Sequence, residues 1–86
     1  MSVEILPHAM ERATERGATV DEINLTVKSG ETFPAKHGRV AFRRNFNFDG
    51  EWNGKFYQFK QIEAFAEKEN NNWIVITVIV KYFEFL

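Results

Sequence analysis

The chain has 86 residues, 44% of them hydrophobic and 27% charged, which predicts a single domain over residues 1–86 with a core just large enough to fold alone. A net charge of −1 excludes a generally basic nucleic-acid binder. The absence of cysteine excludes disulfides, thiolate metal sites and a cysteine nucleophile, and it fits a reducing cytoplasm.

The first residues lack a basic region followed by an apolar run, so no secretion signal is read. The longest apolar stretch, "WIVITVIV", is too short to span a bilayer, and no membrane partner is expected. Charge is unevenly spread. Residues 1–35 carry three basic and six acidic groups, whereas residues 36–60 carry six basic and two acidic ones. A local field of that kind can act on phosphates even in a slightly acidic chain.

The first predicted element is a helix over roughly residues 4–16, with Pro7 in its first turn and Gly17 at its stop. Leu6, Ala9, Met10, Ala13 and Gly17 share one small, shallow face that suits close packing on a sheet. A second helix opens at "TVDE", where Thr19 and Glu22 have capping-box spacing. Its apolar stripe is Val20, Ile23 and Val27, and Gly30 ends it.

The period then changes. "TFPAKHG" reads as a loop or a short edge strand. "RVAFRRNFNF" alternates, with Val40, Phe42, Arg44, Phe46 and Phe48 on one face and Ala41, Arg43, Asn45 and Asn47 on the other. "DGEWNG" reads as a turn, "KFYQFKQIEAFAE" as a second strand and "KENNN" as a polar hairpin loop. "WIVITVIVKYFEF" reads as a central strand, apolar on both faces and covered on both. Helices first and strands after predict an α+β fold: two N-terminal helices packed on one face of a three- to four-stranded antiparallel sheet.

The candidate chemistry starts with His8, Arg12 and Arg16, which are successive i, i+4 neighbours on one helical stripe beside the apolar face. Two readings stay open. Glu11 and Glu15 can relieve a solvated row of like charge, with the arginine stems covering apolar surface. Alternatively the row is a groove edge, where two guanidinium groups hold phosphate and an imidazole moves a proton.

His37 reads as a solvated loop residue, and no cluster has metal-ligand spacing, so neither metal nor cofactor is expected. Thr77 is the only hydroxyl within the apolar third strand; alternation puts it in phase with Trp73, Val75, Ile79, Lys81 and Phe83. It reads either as an ordinary strand former or as a hydroxyl aimed into a cleft. Lys60 and Tyr57 fall on opposite strand faces unless a bulge intervenes. Arg39, Arg43 and Arg44 are the candidate nucleic-acid contacts of the basic middle segment. These residue types suit metal-independent cleavage of an RNA phosphodiester, in which the ribose 2′-OH is the nucleophile.

"HAMERATERG", "GRVAFRRNF", "GKFYQFKQI" and "NNWIVITVIVKYF" together resemble a family of small prokaryotic proteins with an H-x-x-x-R-x-x-x-R-G helix and a late T-V strand. That family is similar to ribonuclease toxins of the barnase–EndoU–colicin–RelE type. The resemblance implies a RelE-like fold and a cytoplasmic toxin of a toxin–antitoxin pair. It also implies metal-independent endoribonuclease activity on RNA, and a small antitoxin as partner. Residue by residue, His8, Arg12 and Arg16 match the helix motif, Thr77 matches the strand threonine, and Lys60 is carried over as a basic strand residue. The chain departs from the pattern in having Leu6-Pro7 where relatives carry a Ser or Thr cap, which leaves the helix start open.

Two further readings stand beside this one. One is a non-catalytic interaction domain that forms a homodimer or binds a small partner through its strand-rich C-terminal half, ending in "FEFL". The other is an RNA binder that does not cleave and relies on Arg43 and Arg44.

Overall fold

Proline decides where the first helix starts. Leu6 is extended (φ −62°, ψ 143°), as a residue before proline prefers, and α1 runs over Pro7–Glu15 with no side-chain cap. The computed structural model describes residues 2–85. Residues 4 and 5, expected in the helix, instead belong to a short strand, β1, Val3–Ile5. The helix ends in a Schellman motif: the Ala18 amide donates to Ala13 O at 2.9 Å and the Gly17 amide to Thr14 O at 3.1 Å. Gly17 takes the left-handed conformation this closure needs (φ +88°), and a Cβ there would run into the Tyr82 hydroxyl and the Trp52 ring.

Helix α2, Val20–Ser29, starts on the expected capping box. The Glu22 amide donates to Thr19 Oγ1 at 3.1 Å, and the Thr19 amide donates to Glu22 Oε1 at 3.0 Å. Ile23 and Val27 are buried on the expected stripe together with Thr26, whereas Val20 at the first turn is 48% exposed.

Strand β2 is Glu31–Pro34, followed by a 3₁₀ turn at Lys36–Gly38. Three long strands follow: β3 Val40–Trp52, β4 Lys55–Glu69 and β5 Asn72–Phe83. Asn53-Gly54, both at positive φ, make the β3–β4 turn, the pattern of a type I′ hairpin. Asp49-Gly50, expected within that turn, lies inside β3 at a register shift between Asn47 and Gly50, with Asp49 at φ 46°.

The sheet has five strands in the order β1-β5-β4-β3-β2. It is mixed, which corrects the expectation of three to four antiparallel strands. β1 pairs parallel with β5, Val3 opposite Trp73 and Ile5 opposite Val75, and all other pairs are antiparallel. The extra strand closes one edge only over Trp73–Val75, because the chain turns into α1 after Ile5.

Both helices pack on one face. Ala13, Ala18, Ile23 and Val27 form one buried cluster with Phe42, Ile62, Ala64, Ala66, Val75 and Val78. Burying these side chains supplies the main folding force, at about 25 cal/mol per Å² of apolar surface. β5 lies inside the sheet as expected, but only one of its faces is covered. On the other, Thr77 and Lys81 are exposed and Ile79 half-buried.

Candidate anion pocket at the edge of strand β5

The small face of α1 sets the geometry. Ala9 and Ala13 are 2% and 0% exposed, so the helix sits close on β5. His8, Arg12 and Arg16 flank that contact and are all exposed. They face the stretch of β5 just beyond β1, where the strand is irregular. Phe65 pairs with Thr77 but Ala66 pairs with Val75, so Ile76 is an extra residue in β5. The bulge flips the phase. Thr77 shares a face with Ile79, Lys81 and Phe83 but not with Trp73 and Val75, which corrects the alternation read across the whole strand.

His8, Arg12, Arg16 and Thr77 line one depression of about 240 Å³, completed by Ala9, Ile76 and Val78. At ~30 Å³ per water, that is room for about eight waters, or for a phosphate and part of its ribose. No carboxylate lines it. Among the described residues, neither Glu11 nor Glu15 pairs with Arg12 or Arg16; the ion pairs are Arg39–Glu67, Arg43–Glu63 and Lys60–Glu22. Arg16 reaches the Val78 carbonyl only at 3.5 Å, the outer limit of a hydrogen bond. The pocket therefore presents two guanidinium groups and an imidazole with their donor capacity largely free, with Thr77 at its edge on β5.

Lys60 stands apart from this set, which corrects its placement as an assisting catalytic residue. It is 5% exposed. Its ammonium donates to Gly17 O at 2.9 Å and to Glu22 Oε1 at 2.9 Å. The amine thus ties β4 to the corner between the two helices, at the other end of α1 from His8. Tyr82 donates to Arg16 O at 2.7 Å and fastens the same corner. Burial, and secondarily the negative charge of Glu22, pushes the Tyr82 phenol above its ordinary value of 10.0. Tyr57 comes to this end too, its ring 5.7 Å from that of Tyr82.

The basic middle segment is split between the two sheet faces, and much of its charge is paired. Arg43 grips Glu63 through Nε at 2.8 Å and Nη2 at 2.6 Å, with its guanidinium 4.4 Å over the Phe33 ring. Arg39 pairs with Glu67 at 3.1 Å. Arg44 points to the helix side and donates to Ser29 Oγ at 2.7 Å. His37 is exposed in the 3₁₀ turn at φ 62°.

Sequence reasoning missed the Ile76 bulge and the half-buried Phe33 and Phe65 of the open sheet face. Among the described residues, no group of three or more His, Cys, Asp or Glu side chains could hold a metal, and no helix is long and apolar enough to cross a membrane. Compared with family models, curated proteins and solved structures, the chain finds no match.

Proposed function

We propose that this chain is a metal-independent endoribonuclease of RelE-like type, acting as the toxin of a toxin–antitoxin pair. The observation that carries the reading is the convergence of His8, Arg12, Arg16 and Thr77, which lie up to 69 residues apart in the chain, on one pocket with no carboxylate in its lining. Helices packed on one face of a sheet are consistent with the architecture.

In this reading Arg12 and Arg16 hold the scissile phosphate and offset the charge that grows on its oxygens. The ribose 2′-oxygen attacks phosphorus as His8 takes its proton, and the bond from phosphorus to the 5′-oxygen breaks. The leaving oxygen takes a proton from water. The products are a 2′,3′-cyclic phosphate end and a 5′-hydroxyl end. Lys60 has no part, because its ammonium is already engaged.

The test is cleavage of RNA, free and ribosome-bound, in EDTA. Wild type is expected to leave cyclic phosphate ends, with His8→Ala slower by about 10²–10⁴-fold. Growth arrest on induction, relieved by co-expressing the neighbouring open reading frame, tests the toxin assignment. Equal cleavage by His8→Ala, or none by wild type on any RNA, rejects the enzyme.

A second reading is favoured by a different observation. Phe59, Phe83 and Phe85 form an aromatic cluster on the open end of the sheet, with ring centroids 4.9–5.6 Å apart and Phe85 68% exposed. Leu86, the last residue of "FEFL", lies outside the described residues. A non-catalytic interaction domain would use that cluster to dimerise or to bind a small protein, and analytical ultracentrifugation of Phe85→Ser against wild type tests it.

A further inference from the structure

Thr77 borders a second depression as well as the pocket beside α1. This one is a groove of about 780 Å³ across the open face of the sheet. One cross-strand row makes its floor: Phe33 pairs with Ala41, Ala41 with Phe65, and Phe65 with Thr77. Two aromatic side chains thus flank a small one, standing roughly 10 Å apart across two strand spacings. Ala41 is buried beneath them. The rim is basic: Lys36, Arg39 and Arg43 line it, with Glu63 as its one acid. Arg43 is held by Glu63 and Arg39 by Glu67, so Lys36 is the rim cation with no ion-pair partner among the described residues.

We infer that this groove is a seat for a nucleobase, adjoining the phosphate pocket and resting on the ribonuclease reading of that pocket. Phe65 and Thr77 are directly opposed on neighbouring strands, with Cβ atoms about 5 Å apart. Thr77 lines both depressions, so a strand whose phosphate lies in the pocket beside α1 reaches Phe65 by passing over the β5 edge. The Phe65 ring on the floor, with the unpaired Lys36 ammonium on the rim, matches the two halves of a single-stranded nucleotide, a π-face and a charged backbone; the Phe33 ring is already covered by the Arg43 guanidinium. The occupant is single-stranded RNA. Recognition there is by stacking, which tolerates any base, so the groove positions the strand without reading its sequence.

A 5′-fluorescein hexamer of 2′-O-methyl RNA is the probe, because its capped 2′-oxygen cannot attack. Binding is read by anisotropy at low salt. A companion set carries one abasic residue at each position in turn. Wild type is expected to bind the full hexamer and to lose about five- to a hundredfold when the seated base is removed. Phe65→Leu is expected to lose the same factor and to become blind to the abasic position. Phe65→Trp keeps a flat ring and is expected to restore both, with its own fluorescence quenched by the stacked base.

A flat abasic scan on wild type, binding by Phe65→Leu within twofold of wild type, or no binding by wild type at all overturns the seat. So does a Phe65→Leu variant that changes the sedimentation of the protein but not its hold on the hexamer, since the groove is then a contact between copies. The two proposals fail separately. Base-dependent binding without cleavage in EDTA keeps the seat and removes the catalysis, whereas cleavage with a flat abasic scan does the reverse.

Discussion

Two cationic regions lie against α1, one along its flank and one at its C-terminal corner, and the chain treats their charges in opposite ways. At the C-terminal end, Lys60 is 5% exposed and saturated by the Gly17 carbonyl and the Glu22 carboxylate. Along the flank, His8 and Arg12 are exposed, and no acid lines their pocket. A buried charge with two fixed acceptors serves the fold, since its removal strands the partners. An exposed charge aimed into a depression with no partner contributes little to folding and is left available to an external anion. Basic residue type alone therefore does not mark a site here. The partner does.

The comparison breaks most visibly at Lys60. Lys60→Met keeps most of the side-chain volume but leaves Glu22 and Gly17 O without the ammonium. The expected cost is about 3 kcal/mol, at the low end for breaking a buried pair because Glu22 is partly exposed and keeps its cap with Thr19. For a chain of this size that lowers the melting temperature by about 15 °C, measured by circular dichroism. Adding Glu22→Gln should recover part of the loss, since the unpaired carboxylate is then gone. A Lys60→Met variant as stable as wild type would show that the corner does not depend on the pair.

How much of this could be read beforehand follows from how local each signal is. The capping box of α2 is contained in "TVDE", and its bounds were legible. The α1 stripe was legible because Ala9 and Ala13 fix which flank faces β5. β1 was lost to the helix expectation, although Leu6-Pro7 carries the physical reason it stops there: the residue before proline is driven out of the helical region. The bulge at Ile76 left no trace, because "WIVITVIV" is apolar at nearly every position and offers no alternation for a slipped residue to interrupt. Lys60 was misassigned for a different reason. Its partner Glu22 is 38 residues away, so the pairing exists only in the folded chain.

Tyr82 gives a smaller effect on the same buried corner, and one with a sign. Burial and Glu22 both raise its pKa above 10.0, so the folded state holds the phenolic proton more tightly than the unfolded chain does. The stability this contributes is fully present below pH 10 and is lost as pH rises through the raised value. Tyr82→Phe removes the hydrogen bond to Arg16 O, a loss of about 1 kcal/mol near neutrality. It should also flatten the alkaline limb of stability above pH 10, followed by urea unfolding. An unchanged alkaline limb would assign that limb to other groups.

The smallest expected effect on stability falls on the opposite region and sharpens the contrast most. Arg12→Ala removes an exposed cation that pairs with no acid among the described residues, so its cost should stay within about 0.5 kcal/mol. Its sign can even be favourable, because His8, Arg12 and Arg16 are like-charged neighbours at i, i+4 when the imidazole is protonated. The same change should cut RNA cleavage by about 10²–10³-fold if the guanidinium stabilises charge in the transition state. Urea denaturation and cleavage assays on one preparation separate the two outcomes. Should Arg12→Ala destabilise the chain as much as Lys60→Met, the arginine row would be part of the scaffold after all. The distinction between a saturated charge and a free one would then carry no information about where this protein works.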